Sequence, residues 1–150
     1  MLIASITLFA VIKFRKINYG LPFNTTMKIF GVGLLVAIHW LLFFHSIKIS
    51  NVAVALGCFS TITFFTSFIE PFFHKRKISW VEVLLGVIVL AGLYLIFQFE
   101  TKYKEGIVLA TASAFIGSLF IVLNGKFIKE HNAITISWYE MTAGFFAISI

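Results

Sequence analysis

The strongest constraint on this chain is a succession of long runs without formal charge. Residues 29–47, 49–69 and 106–125 contain no Asp, Glu, Lys or Arg, and the runs 81–99 and 132–150 hold one acid each, Glu82 and Glu140. An α-helix of roughly 20 residues, rising 1.5 Å per residue, crosses about 30 Å of hydrocarbon. The five runs therefore predict five full-length membrane helices, and residues 1–12 add a partial one. Transmembrane β-strands would be about ten residues long and would alternate apolar with polar positions; these runs do neither. The predicted fold is an all-α, polytopic transmembrane helical bundle. Only 12% of residues are charged, against roughly a quarter in a soluble domain whose surface must face water.

The charges that remain sit between the runs and orient them. With the loop after residues 1–12 inside, alternation places Lys13, Arg15, Lys16, Lys28, Lys75, Arg76, Lys77, Lys126 and Lys129 inside, and Lys48, Lys102 and Lys104 outside, where Glu100 and Glu105 nearly neutralise them. That is the positive-inside pattern. The net charge of +6 is thus an orientation signal, and no nucleic-acid partner is expected. The expected partner is the lipid bilayer. Tyr19, Gly20, Pro22 and Asn24 read as a loop. The half-length first run and the abrupt apolar finish at Ile150 lead us to expect a fragment of a larger polytopic protein.

Polar groups inside the runs are the candidate chemistry, because each is costly in hydrocarbon unless paired or wet. Glu140 lies about eight residues into its run, about 12 Å below the interface, and shares a helical face with Ser137, Ala143, Gly144 and Ala147. It reads either as a protonated acid bonded across a tight helix contact or as a substrate or proton site. Ser60, Thr63, Ser67 and Glu70 fall on one stripe, which Ala53 and His74 extend. That stripe suits a hydrated pathway, although such hydroxyls also bond carbonyls of their own helix. Glu70-Pro71 reads as a helix end whose carboxylate pairs with Lys75, Arg76 and Lys77, as a topology anchor or gate latch. His39 shares a face with Ser46 and is either bonded between helices or pore-lining. His39 and His45, six apart, lie on different faces, so no metal site is expected. Trp138 and Tyr139 read as interfacial anchors.

Gly106, Ala110, Ala114 and Ser118 recur every fourth residue, which leaves one side of a helix smooth enough for close packing. Gly31, Gly33, Gly57, Gly86 and Gly92 suggest further close contacts. The chain has no Asp, which excludes aspartic dyads and EF-hand loops. It also lacks HExxH, GxSxG and phosphate-cradling loops, so neither an enzyme nor a cofactor is expected. The single cysteine, Cys58, excludes a disulfide framework and reads as a buried thiol.

Three stretches carry a family resemblance: Ser46-Ile47-Lys48-Ile49-Ser50-Asn51-Val52-Ala53-Val54-Ala55-Leu56; then, after a Ser/Thr-rich helix, Phe72-Phe73-His74-Lys75-Arg76-Lys77-Ile78-Ser79; and Gly86-Val87-Ile88-Val89-Leu90-Ala91-Gly92-Leu93. The chain resembles EamA-type members of the drug/metabolite transporter superfamily. The resemblance implies ten helices in two inverted five-helix repeats with both termini cytoplasmic. Residues 1–99 would supply helices two to five of the first repeat, and 104–150 helices six and seven of the second. Helix one, helices eight to ten and half of the central cavity would be missing. It further implies a secondary transporter in the plasma or inner membrane that exports small metabolites or drugs by alternating access, with a proton or another ion as coupling partner. Cavity-lining positions would be His39, Ser60, Thr63 and Glu140. The mid-helix proline frequent in helix four is Thr63 here, and the Gly-Glu-Arg that often follows that helix is Lys75-Arg76-Lys77. The alternative reading is a non-transporting membrane scaffold or assembly subunit, or a nonfunctional fragment, whose small-residue faces bind partner helices.

Overall fold

The computed structural model describes residues 1–97 and 101–149. Among these the chain is helical throughout, without a strand: α1 (Leu2–Phe14), α2 (Phe23–Ile49), α3 (Val52–Phe59), α4 (Ile62–His74), α5 (Trp80–Phe97), a 3₁₀ turn (Thr101–Tyr103), α6 (Lys104–Phe127) and α7 (Ala133–Ile148). Three segments are long and apolar enough to cross a membrane: Phe23–Ile49, Val52–His74 and Lys104–Phe127. Leu2–Phe14 and Trp80–Leu95 are shorter apolar helices, and α7 has 16 residues. The sequence predicts five full-length spans, two of which end at Phe99 and Ile150; those two residues lie outside the described ones, as does Glu100.

Two boundaries are corrected. Asn24, expected in a loop, lies in the first turn of α2, which starts directly after Pro22; Thr26 N–H donates to Pro22 O at 3.0 Å. A proline at a helix start loses nothing, since its missing N–H would have had no partner. Glu70-Pro71 is not a helix end. Pro71 lies inside α4, which continues to His74 and stops where Lys75 turns left-handed at φ 52° and ψ 33°.

The run 49–69 is not one unbroken helix. It parts into α3 and α4 at Ser60 and Thr61, whose ψ angles of −16° and −6° tighten the chain. Ser60 Oγ donates to Gly57 O at 2.6 Å and Thr61 Oγ1 to Cys58 O at 2.7 Å. Hydroxyls that claim carbonyls three residues back draw the backbone into 3₁₀ geometry and bend the helix without a proline.

The contacts group into two compact units, Met1–Ala37 with Leu123–Ile150, and Ile38–Val122. In the first, α1 packs on α7. Ser5 and Thr142 share a 2.6 Å hydroxyl bond, and Trp138 stacks on Phe9 with ring centroids 5.3 Å apart. Tyr139 Oη donates to Tyr19 O at 3.1 Å. Helix α1 ends in a Schellman turn, with Ile17 N–H donating to Ile12 O at 3.0 Å and Lys16 N–H to Lys13 O at 3.3 Å. Those bonds offset the roughly 1–2 kcal/mol that a non-glycine residue spends at Lys16's φ of 52°. Gly33 of α2 meets α7 so closely that a Cβ there would lie 2.7 Å from Glu140 O and 2.9 Å from Ala143 Cβ.

In the second unit, the start of α6 lies against the end of α2. A Cβ on Gly106 would fall 2.5 Å from Ser50 Cβ, and Ser46 Oγ donates to Gly106 O at 2.8 Å. Ala110 packs with Val54 and Cys58; Gly106, Ala110, Ala114 and Ser118 are all buried. Helix α5 packs on α4, with Gly86 against Phe64. Gly31 and Gly92, by contrast, have nothing within 4 Å of a Cβ position. They make no close contact, because their register turns them away from neighbours. Leu84, Val87, Ile88 and Leu95 of α5 are exposed, as befits a helix whose solvent is lipid.

The link between α2 and α3 consists only of Ser50 and Asn51. Asn51 caps α3, its side-chain oxygen accepting from Val54 N–H at 2.9 Å. Replacing it with alanine should lower stability by about 1 kcal/mol, read as a fall in Tm in detergent. An unchanged Tm would mean that the cap contributes nothing.

Candidate functional site

The left-handed turn at Lys75 reverses the chain after α4 and brings Arg76 back between two acids, each six residues away. Arg76 Nη2 lies 2.8 Å from Glu70 Oε2 and 2.7 Å from Glu82 Oε2, and Nη1 donates to Glu82 Oε1 at 3.2 Å. Glu82 is thus held by two bonds and Glu70 by one. All three side chains are partly exposed. The Glu82 hydrogen bond foremost, then the charges of Glu70 and Glu82, raise the Arg76 guanidinium above its ordinary value. It is a permanent cation. Lys75 and Lys77, grouped with Arg76 in the sequence, are exposed.

This triad borders a cavity of about 510 Å³ among α4, α5 and α6, within the range of small-molecule pockets. Thr63, Thr66 and Ser67 supply hydroxyls, and Ile62, Leu85, Val89 and Ile121 supply the apolar wall. Each hydroxyl hydrogen is engaged by a backbone carbonyl three or four residues back: Thr63 donates to Ser60 O at 3.2 Å, Thr66 to Ile62 O at 2.7 Å and Ser67 to Phe64 O at 2.7 Å. The hydroxyl hydrogens thus satisfy backbone carbonyls, and the oxygen lone pairs remain open. Ser60 is exposed, outside the lining.

The other candidates do not line this cavity. His39 is buried, with Nδ1 2.9 Å from both the carbonyl oxygen and Oγ of Ser113, whose hydroxyl donates to His39 O at 3.0 Å. Rings of Trp40, Phe43, Phe59 and Phe120 surround the imidazole. Glu140 belongs to the first unit and is 3% exposed. Its Oε2 accepts from Asn124 Nδ2 at 3.2 Å, while Oε1 and Asn124 Oδ1 have no partner. Among the described residues no three metal-ligating side chains cluster.

Sequence reasoning missed Glu82, Thr66 and Asn124. Glu82 read only as an interruption near the start of its run. Asn124 carried a usable signal, as the only amide side chain in the run 106–125.

A sequence model of the EamA-like transporter family matches residues 1–98. The chain belongs to the EamA-like transporter family. It is therefore a multi-pass membrane protein of a transporter family, which is not a family of enzymes. The matched stretch covers α1 to α5, including Glu70, Arg76 and Glu82. No significant match was found among curated proteins or solved structures.

Proposed function

We propose that this EamA-like protein exports small metabolites or drugs across a plasma or inner membrane by alternating access between inverted repeats. Residues 1–99 carry helices two to five of the first repeat and 104–150 open the second; the family match ending at residue 98 supports that division. The observation that carries the reading is the cavity beside α4. Thr63 and Ser67 line its wall and Glu70 and Arg76 its charged border, an arrangement that can replace water around a polar solute and be closed by an ion pair. The cavity is the substrate path, with Lys75, Arg76 and Lys77 on the cytoplasmic side. Glu140 is the coupling group. Its Oε1 is buried without a hydrogen-bond partner, and it is the oxygen that can take up and release a proton.

The test is reconstitution of the full chain in lipid vesicles loaded with a mixture of small metabolites. Saturable release above protein-free vesicles, leaving from the side that bears the Lys75-Arg76-Lys77 loop, is the expected result. Release no faster than the protein-free leak would overturn the reading and favour a scaffold.

A further inference from the structure

The ligand that suits the α4–α5–α6 cavity can be read from its hydrogen-bond polarity. Its polar lining is acceptor-rich. Thr63, Thr66 and Ser67 have committed their hydrogens to helix carbonyls and present lone pairs. Glu70 and Glu82 add four carboxylate oxygens, against one guanidinium already shared between them. With both acids ionised, the triad carries one net negative charge. A solute rich in acceptors, or an anion, would meet lone pairs and carboxylates, with the one cation already engaged. A solute with a compact cationic donor would find unfilled acceptors, and the wall of Ile62, Leu85, Val89 and Ile121 suits an apolar body. We propose that this cavity binds amphipathic primary ammonium ions.

The triad also indicates where the ammonium docks. Arg76 grips Glu82 with two bonds and Glu70 with one. Glu70 is the partner released more easily, and its carboxylate lies on the same helix as the three hydroxyls. The incoming ammonium takes Glu70, while Arg76 stays on Glu82. Arg76 is thus a competitor of the ligand. This assignment rests on the carrier reading, because it names the substrate class of that same path.

Equilibrium dialysis of the full chain in detergent tests it, with protein-free micelles as baseline and two probes of one shape, naphthylmethylammonium and naphthylacetate. The wild type should bind the ammonium at least about tenfold more tightly than the carboxylate, the contrast expected when one charge-assisted bond replaces a like-charge contact. Glu70→Gln should weaken ammonium binding about tenfold. Arg76→Gln should tighten it severalfold by removing the competitor. Equal or reversed preference between the probes in the wild type, no binding of either, or weaker ammonium binding by a folded Arg76→Gln would each overturn the assignment. The two wild-type measurements decide even if a variant fails to fold. Vesicles that release metabolites while the protein prefers naphthylacetate would sink the ligand class alone. Ammonium binding without any flux would sink the carrier reading instead.

Discussion

Gly106→Leu should unfold this protein at markedly lower temperature, with a loss of about 2–4 kcal/mol, the upper part of the range for overpacking a fitted contact. The first atom added would already stand 2.5 Å from Ser50 Cβ and 2.7 Å from Ser50 Oγ, so the two helices must separate. That separation also breaks the 2.8 Å bond from Ser46 Oγ to Gly106 O. Cys58 provides the readout: it is 2% exposed and packs on Ala110, one turn along α6. A maleimide dye should label it only as the unit opens. Gly92→Leu is the matched control, because nothing lies within 4 Å of its Cβ position; its effect should stay within about 0.5 kcal/mol. Equal labelling curves for the two variants would contradict the packing described for α2 and α6.

Glu140→Gln should leave the fold intact while removing the coupling. Glutamine keeps the side-chain volume, and its amide can serve the orphaned Asn124 Oδ1 as well as accept from Nδ2, so Tm should equal or exceed the wild type. What is lost is the exchangeable proton. Flux driven by an imposed pH gradient should fall by at least about tenfold, the scale on which removing a positioned proton-transfer group acts, and the remaining flux should no longer respond to pH. A fall in Tm with undiminished, pH-dependent flux would make Glu140 a packing residue and remove it from the mechanism.

The membrane character was readable because it rests on an average property: uncharged runs of spanning length need no knowledge of neighbours. The same holds for the smooth face of α6, which recurs at helical spacing. Features set by tertiary register were not readable. Gly33 and Gly31 are two residues apart, yet one abuts Glu140 O and the other faces open space. Glu82 joins Arg76 only because Lys75 adopts a left-handed turn that its residue type does not announce. The α3–α4 break was hidden for a different reason. Proline is the usual sequence signal of a bend, and here Ser60 and Thr61 produce one through their own hydroxyls. Asn124 and Glu140 meet from separate helices, so neither run alone reveals the pair.

The central claim, that the cavity beside α4 is the path of a carrier, is tested most directly by filling it. Val89 lines the wall without taking part in the ion pairs. The measurement is metabolite release from vesicles containing the full chain with Val89→Trp, alongside the wild type at matched protein density and Tm. The account predicts that release falls at least about tenfold, since an indole occupies space the solute must use. Release at the wild-type rate from a folded Val89→Trp protein would contradict it.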